Sequence, residues 1–169
     1  MEQVMQQVSQ PVATITRPAD TTAYAAGDVI ADSTSAATVL TFRNACGDGS
    51  GGVIRSAMFV SSLVPATKLN ADLFLFHTAP TSYGNDNAAF TLSDADAINC
   101  VAVISLDGTT AANVKTTDNN CVVINQALAL PFKQATLSDG ALYGVLVARN
   151  AYTPGSGEVL TIKIGIQRA

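Results

Sequence analysis

The sequence predicts an all-β fold, an antiparallel jelly roll or related β-sandwich of about eight to ten strands. Short apolar segments alternate along the chain with turns rich in Gly, Asn, Asp, Ser and Pro, which is the usual pattern of strands joined by tight connections. No long segment has a helical period. No recurring strand–helix–strand unit is found either, so that folds built on a parallel sheet are disfavoured.

The clearest strand runs from Glu158 to Arg168. Apolar residues occupy positions 160, 162, 164 and 166 and alternate there with Thr161, Lys163, Gly165 and Gln167. A period of two predicts one buried face and one face in water.

Three other strands are apolar on both faces, namely Leu73–Phe76, Val101–Ile104 and Val145–Ala148. Something must cover their second face, since a free sandwich has a polar outer surface. The long loop from Pro80 to Asn99 is one candidate cover, and another subunit is the other. The low charge of the chain favours an oligomer.

The length of 169 residues fits one domain. We predict a jelly-roll domain over residues 11–169, preceded by an N-terminal arm over residues 1–10. Pro11 marks the boundary because proline biases the residue before it toward extended geometry.

Composition narrows the range of partners. Charged residues make up 13% of the chain, against about 25% in typical soluble domains. This indicates either a surface that meets protein neighbours or one rich in Ser, Thr, Asn and Gln. The nine Lys and Arg residues are scattered and the net charge is −4, so we expect no nucleic-acid partner. No segment predicts a membrane span or a signal peptide.

The residues capable of chemistry do not form a recognisable motif. Cys46, Cys100 and Cys121 match no zinc or redox spacing, and we interpret them as reduced thiols. His77 is the only histidine, at the end of an apolar strand, where a rim position is the favoured interpretation. The segment Gly47–Gly52 lacks the following helix and the lysine of a phosphate loop, so it predicts a turn. We therefore predict no catalytic residue, no metal site, no cofactor and no enzyme activity.

Three carboxylates, Asp86, Asp94 and Asp96, lie in the long loop. Loops rich in oxygen ligands can hold calcium, but the glycine and glutamate of the twelve-residue calcium loop are absent. A surface turn is the favoured interpretation. It includes a single helical turn at Asp94–Ile98 that Ser93 would cap. A sugar-cleaving site is disfavoured because the chain has no Trp.

Three segments in this order resemble a known family. They are Ile15–Ile30; Leu73–Phe76 with the following Ala79-Pro80-Thr81 and residues 85–90; and Leu142–Val147 with Tyr152-Thr153-Pro154. Together they are similar to virion proteins of tailed bacteriophages, in particular jelly-roll cement (decoration) proteins. The similarity extends over most of the chain from residue 12 onward. Its motifs are turns and strands, so that no contact residue can be carried over.

The resemblance implies a non-enzymatic structural protein that binds the outside of a phage capsid. There it would clamp adjacent subunits of the major capsid protein and stabilise the shell. It further implies a homo-oligomer, either a dimer or a trimer, that is synthesised in the host cytoplasm and located on the capsid exterior. The alternative is a glycan-binding or receptor-binding module of a phage tail or spike, since jelly rolls host many lectins.

Overall fold

The computed structural model describes residues 7–47, 49–117, 120–134 and 139–169. These ranges contain twelve strands and one short helix. The elements are β1 (Val8–Ser9), β2 (Val12–Thr16), β3 (Val29–Ile30), β4 (Leu40–Phe42), β5 (Gly51–Ser61), β6 (Asn70–Phe76), α1 (Asp94–Ala97), β7 (Cys100–Asp107), β8 (Val114–Thr116), β9 (Cys121–Asn125), β10 (Leu130–Lys133), β11 (Leu142–Ala148) and β12 (Val159–Arg168).

The strands form two sheets in which every pairing is antiparallel. In the first sheet, β12 pairs with β5 on one edge and with β1 and β2 on the other. The free edge of β5 pairs with β9 and β10, and β8 continues the sheet beyond β9. In the second sheet, β11 pairs with β6 on one edge and with β3 and β4 on the other, and β7 follows β6.

This order is that of a jelly roll. Three strand positions are each divided into two pieces: β1 with β2, β3 with β4, and β9 with β10. The last division lies near Ala127, whose φ of 62° interrupts extended backbone. Counted this way, eight positions remain, and the first pairs with the eighth, the second with the seventh, the third with the sixth and the fourth with the fifth. This nesting confirms the predicted fold class, with β8 as an added edge strand.

The main core lies between the two sheets. All four apolar residues that alternate along β12 are fully buried there, so the clearest strand prediction is confirmed. The facing layer contributes Phe42, Leu73 and Leu75, which are also fully buried. Burial of large apolar side chains at native packing density is the principal stabilisation of such a sandwich.

A second apolar cluster covers the outer face of the second sheet. Val29, Ala31, Phe76, Val145 and Val147 form its buried part. The predicted long loop packs over them through Tyr83, Phe90 and Leu92. The strands Leu73–Phe76 and Val145–Ala148 are therefore covered by their own chain, which is the internal alternative. Val103, on the edge strand β7, remains 46% exposed.

The predicted N-terminal arm falls only partly within the described residues, since residues 1–6 lie outside them. The part that the structure describes runs along β12: Val8 pairs with Gln167 and Ser9 with Ile166. No helix in the described ranges is long and apolar enough to cross a membrane.

Candidate functional site

Among the residues that it describes, the structure does not bring His77 together with the cysteines or the loop carboxylates as a metal site. His77 is half-buried, and its Nδ1 lies 3.1 Å from the hydroxyl of the neighbouring Thr78. Its backbone N–H donates to the carbonyl of Asn99, which fixes it at the end of β6. In residues 7–47, 49–117, 120–134 and 139–169, no three His, Cys, Asp or Glu side chains are grouped to hold a metal.

The cysteines are packing residues. Cys46 and Cys121 are buried in the main core, and Cys100 is half-buried in the second cluster. Burial raises the pKa of the Cys100 and Cys121 thiols. A thiol with a raised pKa is a poor nucleophile at neutral pH, because the thiolate is the reactive form.

Two of the three loop carboxylates belong to the predicted capped turn. Asp94 is exposed, in the first turn of α1. Asp96 is buried and accepts hydrogen bonds from the backbone N–H groups of Thr81 and Ser82 and from the Ser93 hydroxyl. The bond from the Thr81 N–H, followed by that from Ser93, lowers the pKa of Asp96. Ser93 caps α1 as predicted.

The prediction of a surface turn is wrong for the buried Asp96 side chain and, to a greater extent, for Asp86. The Asp86 side chain is only 4% exposed and lies in a buried network of hydrogen bonds. Arg17 Nη2 lies 3.1 Å from Asp86 Oδ2, and the Tyr24 hydroxyl donates to Oδ1 at 2.5 Å. The backbone N–H of Ala31 also donates to Oδ1, at 2.9 Å. A buried carboxylate needs such partners because an unpaired charge is very costly away from water.

The network continues on the other side of the Tyr24 ring. Tyr24 stacks on Tyr152 with 6.2 Å between ring centroids. The Tyr152 hydroxyl lies 2.6 Å from both carboxylate oxygens of Glu158, to which Ser61 also donates. Burial, followed by the hydrogen bonds to Asp86 and Glu158 respectively, raises the pKa of both tyrosines. Both phenols therefore stay protonated and serve as hydrogen-bond donors.

The network holds an exposed apolar surface in place, which we call the loop-end surface. It comprises residues 63–67 of the β5–β6 loop and residues 153–155 of the β11–β12 loop, around a groove of about 510 Å³. Leu63 and Val64 are each 38% exposed. The backbone N–H groups of Leu63 and Gly155 donate to Ser61 Oγ and Glu158 Oε2, at 3.1 and 3.2 Å. Both loops are thus anchored to the same buried side chains.

The loop-end surface was not predicted. The sequence does contain a signal for it, since Leu63-Val64-Pro65 is an apolar segment in a connection between strands. Sequence reasoning could not place it beside residues 153–155, because the two loops are about ninety positions apart and meet only through the nested strand order.

No protein-family model matches the chain, and no curated protein is similar enough to count as a relative. Among solved structures, the chain is similar to a protein in the full particle of Israeli acute paralysis virus heated to 63 degrees. The sequence identity is 13% and the TM-score is 0.33, and the alignment covers 99% of this chain and 73% of the other chain. For a crystal structure of the same virus, the sequence identity is 12% and the TM-score is 0.30. That alignment covers 98% of this chain and 73% of the other chain.

A marine algae virus of the order Picornavirales gives 13% identity and a TM-score of 0.27, over 98% of this chain and 70% of the other. These likenesses are to proteins of virus particles, and their TM-scores are too low to argue from. The jelly-roll assignment therefore rests on the strand order.

Proposed function

We propose that this chain is a non-enzymatic structural protein of a virus particle. In this proposal it binds the outside of a tailed-phage capsid, clamps adjacent major capsid protein subunits and stabilises the shell. The observation that carries the proposal is the loop-end surface, an exposed apolar patch anchored to buried side chains at one end of a jelly roll. The resemblance of the sequence to cement proteins points in the same direction.

The physical chemistry of the loop-end surface suits a protein partner. Contiguous exposed apolar residues are typical of interaction sites, and the centres of protein interfaces are depleted in charge. None of the residues that line its groove is charged. One backbone N–H in each loop donates to a buried side chain, Ser61 or Glu158, and such anchoring lowers the entropic cost of binding.

One further feature supports a virion protein made in the cytoplasm. Cys100 and Cys121 are thiols, as expected of a protein made in a reducing compartment. A dimer or trimer would give each oligomer two or three linked contacts with the shell, and linked contacts bind far more tightly than single ones.

The test is binding to purified capsid shells that lack this protein, measured as occupancy in co-sedimentation and as a gain in the temperature at which the shells open. We expect saturable binding by the wild type. Val64→Asp places a charge in the loop-end surface and should weaken binding at least about tenfold, as expected for a buried unpaired charge in an interface. Ile98→Asp is the matched control because Ile98 is 82% exposed and lies beside α1.

Two results would contradict the proposal. One is a wild-type protein that binds no shell, and the other is equal binding by the Val64→Asp and Ile98→Asp variants. Titration with host-surface polysaccharide tests the alternative of a glycan-binding tail or spike module. Saturable binding of polysaccharide without binding to shells would favour that alternative.

A further inference from the structure

Charge is divided between the two sheets. The strands of the first sheet contain no Asp or Glu. The strands of the second sheet contain Asp72 and Asp107 and no Lys or Arg. The first sheet carries exposed or half-buried cations outside the core, among them the four cations Arg55, Lys115, Lys133 and Lys163. Lys133 and Lys163 lie between buried neighbours and therefore point outward, and Lys115 pairs with the half-buried Val122.

The register places an apolar band between two of these cations, Lys163 and Lys115, whereas Arg55 and Lys133 lie toward the other end of β5. Along one row, Lys163 lies next to Met58, and Met58 lies next to Ile124. Along the adjacent row, Val60 pairs with Val122, which pairs with Lys115.

The four apolar residues of the band are each half-buried, and a groove of about 350 Å³ opens beside Lys115 and Ile124. We call this band, together with the four cations, the first-sheet face. Its composition combines an apolar centre with positive charge and no negative charge.

Among the described residues, neither apolar cluster includes the half-buried band and no carboxylate pairs with the four cations. The two apolar clusters of the described residues include neither Met58 and Val60 nor Val122 and Ile124. In the part of the chain that the structure describes, the only cations in ion pairs are Arg17 and Arg149. Glu2, Asp48 and Asp118 lie outside the described residues. An apolar surface with unpaired cations is complementary to an apolar surface that carries carboxylates.

We infer that the first-sheet face docks on an acidic protein surface, and, resting on the proposed function, that this surface belongs to the capsid shell. It would be a second contact besides the loop-end surface, which a clamp between two subunits requires. The same face of a second copy is a poor occupant, because a symmetric contact would bring eight cations together. Nucleic acid is a poor occupant as well, since the apolar band has no partner on a phosphate backbone.

The test is the affinity of charge-reversal variants for DNA-free shells. Lys163→Glu reverses a charge beside Met58 on the first-sheet face. Arg43→Glu is the matched control, because Arg43 is exposed and follows β4 of the second sheet. We expect Lys163→Glu to raise the Kd for shells about tenfold or more, and Arg43→Glu to change it by less than about twofold. Lys163→Arg keeps the positive charge and should bind like the wild type. Wild-type affinity should also fall as ionic strength rises. Thermal melting of each variant checks that the fold is intact.

The outcomes separate this inference from the proposed function. If the wild type binds shells and Lys163→Glu binds equally well, the inference is overturned and the function stands. If the wild type binds no shell, both the proposed function and this inference are contradicted. Binding that requires DNA, or a Lys163→Glu defect that appears as lost self-association in sedimentation velocity, also overturns the inference.

Discussion

The two sheets of this sandwich have outer faces of opposite character. The second sheet is covered by the chain's own long loop, through Tyr83, Phe90 and Leu92. The first sheet leaves its apolar band of Met58, Val60, Val122 and Ile124 half-exposed among cations.

The difference shows that an apolar outer face does not by itself indicate a partner. The strands that the sequence marks as apolar on both faces, Leu73–Phe76 and Val145–Ala148, are the ones that the long loop covers. The face left for a partner belongs instead to β5 and β9, whose residues 57–60 and 121–124 are also apolar on both sides. Apolar residues on both faces of a strand therefore do not tell which outer face the chain covers itself.

The largest expected effect on the free energy of unfolding is that of Asp86→Ala, which removes the buried carboxylate that connects the covering loop to Arg17 and Tyr24. The Arg17 guanidinium loses its nearer, buried carboxylate and is left with that of Asp20, 3.6 Å away. Removal of one member of a buried ion pair costs about 3–5 kcal/mol. Urea unfolding measures the loss of free energy of unfolding. Asp94→Ala, at an exposed position in the same loop, should change it by less than about 0.5 kcal/mol. A loss below about 1 kcal/mol for Asp86→Ala would show that the loop is held by other contacts.

An intermediate effect should distinguish the two outer faces directly. Phe90 packs on Phe74 with 4.8 Å between ring centroids. Phe90→Ala should cost about 2–3 kcal/mol, below the range for a fully buried ring, because Phe90 is half-buried. Met58→Ala on the uncovered face should cost less than about 1 kcal/mol, since its side chain lies outside both apolar clusters.

Thiol labelling gives an independent check of the same comparison. Cys100 belongs to the cluster under the covering loop, whereas Cys121 belongs to the core between the sheets. In the native Phe90→Ala variant, Cys100 should react faster with a thiol reagent and Cys121 should not. Equal costs for Phe90→Ala and Met58→Ala, or faster labelling of both cysteines, would remove the distinction between the faces.

The smallest expected effect is on the pH dependence of stability, at the end of the edge strand of the covered sheet. Hydrogen bonds from Thr109 and Thr110 lower the pKa of Asp107 to about 2. A carboxyl with a lowered folded-state pKa stabilises the fold above its unfolded pKa of about 3.9. That stabilisation is lost as the pH falls toward 2.

Asp107→Asn should therefore reduce the fall in melting temperature between pH 5 and pH 2, by a small amount because the carboxyl is partly in water. Asp94→Asn serves as the control carboxyl removal. An Asp107→Asn profile that parallels the wild type would show that the turn after β7 contributes nothing to acid stability.

Much of the fold could be predicted because it depends on local patterns. The period of two along β12, the turn residues between strands and the Ser93 cap all act over a few residues, and each is confirmed. The candidate site could not be predicted in the same way. Asp86 is an ordinary loop carboxylate in sequence, and only its contact with Arg17, 69 positions away, makes it a buried structural residue.

The sequence by itself determined the all-β class and the residues that face the main core, because side-chain alternation is a property of neighbouring positions. Only the tertiary structure decided which outer face is covered, which carboxylate is buried and where the loop-end surface forms. Each of these depends on segments far apart in the chain. The pairing of first strand with last brings such segments together, and no local pattern encodes that meeting.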